Sequence, residues 1–148
     1  MAAKVHHLRD LREAATAVAL PVAVFRKELE RSHPFLESVQ RYSQGLMALM
    51  MQSAACLALH SVEARSCRWL SMAHDRAGRN EFHLSQEFLA MMLSSSRQAV
   101  NAVAGELQRE GVISYRYGRV KVLDRRRLEH RACECYQTVR DMFVQLDL

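Results

Sequence analysis

Arg97, Gln98, Asn101 and Gln108 fall within one sector of about 100° when wrapped on a helix, and Val100, Val103, Ala104 and Leu107 fill the opposite side. Arginine can donate two parallel hydrogen bonds to the O6 and N7 atoms of guanine. Glutamine and asparagine can make the matching pair with adenine, so this face carries the chemistry of base-edge reading. Ser95 and Ser96 stand just ahead of it, where a hydroxyl and the positive end of the helix dipole could hold a phosphate. Arg116, Arg119 and Lys121 follow, with spacing that suits two short strands contacting a nucleic-acid backbone.

The charge distribution supports that chemistry. The chain has 148 residues and a net charge of +5, and arginine supplies 18 of its 21 basic side chains. From Tyr115 to Arg131 seven cations (Arg116, Arg119, Lys121, Arg125, Arg126, Arg127 and Arg131) face two carboxylates, Asp124 and Glu129. That stretch carries the whole net charge, the footprint of a polyanion binder, and Arg125 to Arg127 are expected to prolong the phosphate-facing strip.

Other chemistries are disfavoured. No two of the five glycines lie close enough for a phosphate-cradling loop, and no nucleophile–base pair is suggested by spacing, so no enzymatic activity is expected. Cys56, Cys67, Cys133 and Cys135 contain no C-x-x-C. A metal or redox role for Cys133-Glu134-Cys135 with nearby His130 is disfavoured, because C-x-C on one helix points its thiols about 200° apart. No cofactor and no metal are expected. No apolar run approaches the ~20 residues of a membrane span and no secretory signal is visible, which predicts a cytoplasmic protein without membrane contact.

The elements that must position these side chains are mostly helical. Val5, Leu8, Leu11, Ala15 and Val18 recur at helical steps and predict a first helix ended by Pro21. Residues 25–29 suggest a further helical turn, and Ser32-His33-Pro34 breaks it before a long helix from Phe35 to about His60. That helix carries Leu36, Val39, Leu46, Met50 and Leu57 at heptad-like positions, with more apolar residues on its flanks, and so reads as a dimerisation helix. Ser61 caps a helix to about Ala73, a hydrophilic loop spans His74 to Asn80, and Glu81 to Leu84 read as a strand. Two helices separated by Ser94-Ser95-Ser96 follow, and the second ends where Gly111 suits a left-handed cap. Runs on either side of Tyr117-Gly118 form a β-hairpin, and Asp124 caps one last amphipathic helix through Leu146. The fold class is therefore mainly α with a small β-hairpin: a winged helix-turn-helix preceded by a long dimerisation helix.

Three stretches carry a family resemblance. They are Leu84-Ser-Gln-Glu-Phe-Leu-Ala-Met-Met-Leu-Ser-Ser-Ser-Arg-Gln-Ala-Val-Asn101, Leu107-Gln-Arg-Glu-Gly-Val-Ile-Ser-Tyr115 and Gly118-Arg-Val-Lys-Val-Leu-Asp124. Together they resemble the C-terminal DNA-binding domain of the Crp/Fnr bacterial transcription regulators. The likeness extends upstream through Ala55-Cys-Leu-Ala-Leu-His-Ser-Val-Glu-Ala-Arg-Ser-Cys-Arg-Trp-Leu70, which looks like the end of the family's dimerisation helix, its hinge and the next helix. Downstream, Ala132-Cys-Glu-Cys-Tyr136 looks like the C-terminal helix of a proteobacterial branch. The resemblance implies that Ser96 and Arg97 occupy the recognition-helix serine and arginine positions. Gln98 stands where the family has an acidic base reader, Ala102 where the best-known members have a second basic contact, and Ser94 where glycine is frequent.

Family members carry an effector-binding β-roll of over a hundred residues before the long helix, where this chain has about thirty. The reading divides the chain into residues 1–34, a short N-terminal segment; 35–60, the dimerisation helix; and 61–148, the DNA-binding domain. It implies a dimeric, sequence-specific regulator of double-stranded DNA without a complete effector domain and without a cyclic-nucleotide pocket. The alternative is an interaction protein, or a piece of a longer gene product, that heterodimerises with full-length relatives. RNA polymerase is a further candidate partner. The operator, the regulated genes, the direction of regulation and any effector are not written in the sequence.

Overall fold

The computed structural model describes the backbone of residues 4–8 and 15–18, and residues 19–146 in full. Strands β1 (Lys4–Leu8) and β2 (Ala15–Ala19) pair antiparallel, with Val5 opposite Val18. The expected first helix is therefore wrong. Ala15-Thr16-Ala17-Val18-Ala19 also satisfies a two-residue alternation, and β-branched Thr16 and Val18 favour the extended form. Leu11 lies outside the described residues.

Helix α1 (Val22–Arg31) leads into α2 (His33–Leu59), which Ser32 caps by accepting a hydrogen bond from the Phe35 amide. Pro34 sits in its first turn, where no amide donor is required. Phe25 and Phe35 meet edge to face, with ring centroids 5.5 Å apart, and pack α1 on the start of α2. At His60 the chain becomes extended, and Ser61 caps α3 (Val62–Ala77) through the Ala64 amide. This helix runs one turn past the expected Ala73. Its true end is set by Gly78, the left-handed cap at φ 61°, and His74 and Arg76 complement the negative end of the dipole.

Strand β3 (Glu81–His83), helix α4 (Gln86–Met92), helix α5 (Arg97–Arg109) and strands β4 (Ile113–Arg116) and β5 (Arg119–Val122) follow. The sheet order is β3-β5-β4, all antiparallel, so the expected hairpin gains the preceding strand as a third member. The Tyr117-Gly118 turn has positive φ at both residues (49° and 73°), the geometry that matches the twist of a two-residue hairpin.

The predicted last helix is two: α6 (Arg125–Arg131), capped by Asp124, and α7 (Cys135–Gln145). The break falls at Ala132, which is extended at ψ 148°. It lets Leu128 enter the main core while Tyr136 and Val139 pack with Met72, two directions that one straight helix could not serve.

The main core joins α3, α4, α5, the sheet and α6 through Leu70, Leu89, Leu93, Val100, Leu107, Val112, Ile113, Val120 and Leu128, each at most 1% exposed. Each fully buried aliphatic side chain of this kind contributes about 1.5–3 kcal/mol. Two arginines are buried with them: Arg65 donates to the Leu93 carbonyl (3.0 Å) and Arg68 to the Ser53 hydroxyl (3.1 Å). Among the described residues no helix is long and apolar enough to cross a membrane.

Ser94 holds φ at 45°, a conformation that costs a residue with a Cβ atom about 1–2 kcal/mol. Ser94→Gly is expected to leave the fold unchanged and raise stability by up to about 1 kcal/mol, after the offset from greater freedom in the unfolded chain. Urea unfolding monitored by circular dichroism checks this, and a loss of stability would contradict it.

Candidate nucleic-acid interface

Helix α5 starts from Ser96, whose hydroxyl accepts from the Ala99 amide at 3.1 Å. Its lone pair is thus partly committed to capping, and the hydroxyl hydrogen remains available as a donor. Ser95 is half-buried in the turn, with its amide bonded to the Ala90 carbonyl. Beyond the cap, Val100, Ala104 and Leu107 are buried, whereas Arg97, Gln98, Asn101, Ala102 and Gln108 are exposed along the other side. Gly105 lies on the same helix, and a Cβ there would meet nothing within 4 Å. Glycine at this position weakens the helix by about 1 kcal/mol with no internal packing reason, and the sequence reading overlooked it.

Arg97 is 62% exposed and pairs with Glu87 of α4. An exposed pair of this kind contributes little to stability, so it orients the guanidinium without holding it against a better partner. Gln108 is occupied differently from expectation: its side-chain oxygen accepts the Tyr115 amide at 2.9 Å and ties α5 to β4. That bond makes Gln108 a positioning residue for the hairpin. No signal in the sequence marked the contact, because it joins a helix face to a strand seven residues on.

The exposed face of the hairpin carries Arg116, Arg119 and Lys121, which line one shallow groove with Glu81, Ser114 and Tyr117. Arg116 stands directly opposite Arg119 in the register, a like-charge pair that an anion would relieve. Arg119 reaches Glu81 at 3.3 Å, again an exposed pair. Tyr117 is fully exposed at the tip.

The expected extension of the strip through Arg125 to Arg127 holds only in part, because Arg126 and Arg127 are exposed while Arg125 is not. Arg125 is turned inward: it donates to the Ser71 carbonyl (2.9 Å), Asp75 (2.8 Å) and Glu129 (2.8 Å), and to the Tyr136 hydroxyl. Tyr136 in turn donates to Asp75 at 2.7 Å, and its own ionisation is pushed up to about 12 by burial, reinforced by that bond. Arg127 bonds the Glu110 carbonyl (2.8 Å) and its carboxylate (3.0 Å), while Arg131 bridges Glu110 (2.8 Å) and Glu63 (3.5 Å). Three of the seven cations thus join helices to one another. Arg126 stays exposed.

Among the cysteines, the Cys133-Glu134-Cys135 pair departs from expectation. All four are buried. Cys67 lies in the main core, where burial pushes its thiol up to about 12 and leaves it inert. Cys133 and Cys135 do not share a straight helix, because the chain breaks at Ala132, and their sulfurs converge instead of diverging.

Two helices joined by a tight turn, the second with a buried and a polar face, followed by a basic hairpin, define a winged helix-turn-helix module. Residues 64–131 match the family described as the Crp-like helix-turn-helix domain. The fold is that of Crp/Fnr regulators. A CRP-family transcriptional regulator of Thermus thermophilus, TTHB099, is 29% identical over 80% of this chain and 60% of its own length, with a TM-score of 0.64. A CooA variant from Carboxydothermus hydrogenoformans, at 17% identity, shares the fold over 80% of this chain and 58% of its own, with a TM-score of 0.65. The chain therefore spans about three fifths of the length of these relatives. No curated protein matches it.

The division of the basic segment into tying and exposed cations gives a direct contrast. Arg125→Ala should destabilise the fold by about 1–3 kcal/mol by leaving Asp75, Glu129 and the Ser71 carbonyl without their common donor. Arg126→Ala should stay within about 0.5 kcal/mol of wild type. Thermal and urea unfolding of the two variants separate these outcomes, and equal stabilities would refute the division.

Proposed function

We propose that this protein is a sequence-specific transcription regulator that binds double-stranded DNA as a homodimer, with α5 in the major groove and the β4–β5 hairpin on backbone phosphate. The observation that carries the reading is the polar face of α5, which stays exposed through Arg97, Gln98 and Asn101 while the opposite face is locked into the core. Nothing within the described part of the chain covers that face, and its side chains suit base edges. Ala102 and Gly105 leave it smooth enough for close approach to DNA.

Dimerisation rests on α2. Only Gly45 and Cys56 are buried along its 27 residues, and Leu46, Met47, Met50, Met51 and Leu57 are exposed. A stripe of large apolar side chains on one exposed helix fits a two-fold contact with the same helix of a second copy. Leu36 and Val39 are half-buried near the end that α1 covers, so the seam centres on Leu46, Met50 and Leu57. Replacing Leu46 and Met50 together with Glu is expected to give a folded monomer by light scattering, where wild type is a dimer at micromolar concentration. A monomeric wild type would overturn this, and a homodimer that fails to shift DNA would favour a role in heterodimers.

The hairpin is expected to supply affinity and α5 specificity. Neutralising Arg119 and Lys121 should weaken binding to all duplexes alike and reduce the slope of log K against log salt by about one unit per lost phosphate contact. An unchanged slope would remove both residues from the interface.

Arg97→Ala should cost about 1–3 kcal/mol on the preferred site, leave non-specific binding little changed, and relax preference at one symmetric position in each half-site. Selection from a random duplex library with wild type and variant measures this. An identical consensus at lower affinity would assign Arg97 to phosphate.

A further inference from the structure

The strongest unassigned feature lies at the joint between α2 and α3, away from the polar face of α5. Cys56 lies in the last turn of α2, and His60 is the extended residue that ends the helix four positions on. The break between α6 and α7 brings Cys133 and Cys135 to the same place. The three sulfurs and one imidazole nitrogen lie within 4.8 Å of one another, with Cys56 and Cys133 sulfurs 3.4 Å apart and Cys135 sulfur 3.6 Å from His60 Nδ1. Ligands around a tetrahedral zinc ion stand about 3.8 Å apart, given bonds of about 2.3 Å to sulfur and 2.0 Å to nitrogen. The observed spacing, from 3.4 Å to at most 4.8 Å, accepts such an ion after side-chain shifts of about 1 Å or less.

The surroundings distinguish this group from cysteines packed as small apolar residues. Cys56, Cys133 and Cys135 are 1%, 7% and 1% exposed and form a cluster of their own, with Ala64 against them. His60 turns Nδ1 toward the sulfurs while Nε2 bonds the Glu134 carboxylate at 3.0 Å. A carboxylate on the far nitrogen fixes the tautomer that leaves the near nitrogen free to bind a metal. Gln52 donates its amide to the Cys135 sulfur at 3.0 Å, a polar contact that a purely apolar packing role would not call for.

We propose that Cys56, His60, Cys133 and Cys135 form a closed tetrahedral site for zinc, which staples the end of α2 to the α6–α7 junction. Three thiolates and one imidazole suit this soft-ligand geometry and leave no open position, so the ion is structural. The site does not rest on the DNA-binding reading, and its test involves no DNA.

The full chain, reduced and stripped with chelator, is titrated with Co²⁺ as a spectroscopic stand-in and then with Zn²⁺ against a chromophoric chelator. The expected result is the intense absorption of tetrahedral, thiolate-bound cobalt, saturating at one ion per chain and displaced by zinc, with a zinc-dependent rise in melting temperature. Cys133→Ser and Cys135→Ser should weaken zinc binding at least 100-fold, and Cys67→Ala, outside the cluster, should not change it. Glu134 is exposed, so Glu134→Gln keeps the fold and should weaken binding by about 10–100-fold. Absence of the cobalt bands in the reduced wild type, equal affinity in the cysteine and Glu134 variants, or a Cys56–Cys133 disulfide with no metal uptake after reduction would overturn the proposal.

Discussion

The end of α5 is the constraint on which the DNA-facing half of the molecule depends. Gly111, at φ 70°, lets the Val112 amide return to the Leu107 carbonyl and the Gly111 amide to the Gln108 carbonyl, the paired bonds of a left-handed helix stop. Leu107 and Val112, both fully buried, meet beneath that stop and direct the chain into β4. Gln108 then takes the Tyr115 amide, and the Tyr115 hydroxyl reaches back to the Leu84 carbonyl at the entrance to α4. The Leu84 amide is held by Gly118 at the hairpin tip. One ring of backbone and side-chain bonds thus fixes α4, α5 and the hairpin as a single body. In the proposed mode of DNA binding, α5 and the hairpin can act together only when their spacing does not drift.

Arginine serves two opposed purposes here, and solvent decides which. Arg65 and Arg68 are buried and use their forked donors to hold a helix-end carbonyl and a serine, while Arg125, Arg127 and Arg131 collect carboxylates from α3, α5 and α6. A desolvated guanidinium is costly unless its donors are met, and Arg125 and Arg131 in particular gather partners from several elements and thereby define their packing. Arg97, Arg116 and Arg119 stay in water, where the pairs of Arg97 with Glu87 and of Arg119 with Glu81 are weak and exchangeable. The same side chain thus ties the body together inside and stays available to an anion outside.

Helix α2 links the regions. Its Leu49 packs against the cluster of Met72, Tyr136 and Val139, its exposed apolar stripe faces away from the chain's own core, and its last turn and the residue that ends it, Cys56 and His60, supply two members of the cysteine–histidine cluster. The joint at His60 is accordingly held from α7 as well as from α3. An ion there would bear on how the exposed apolar stripe of α2 and the helix-turn-helix are placed relative to each other.

Local patterns in the sequence determined what local physics controls. Serines 61, 85 and 96 as helix caps, Asp124 as another, the Tyr117-Gly118 turn and the apolar face of α5 depend on neighbours within a few residues, and all are present. The polar face of α5 followed from the same periodicity. Where two periods competed, as from Ala15 to Ala19, pairing with a second strand decided, because a sheet's hydrogen bonds come from elsewhere in the chain. Tertiary structure alone settled the fate of the basic run: charge can be counted in sequence, but whether a guanidinium meets water or a carboxylate fifty residues away cannot. It alone broke the last helix at Ala132, since the pull of two separate cores outweighed a continuous helical pattern. By breaking it, the fold converted a Cys-x-Cys whose thiols would diverge on a straight helix into half of a converging cluster, whose other half lies about 75 residues earlier in the chain.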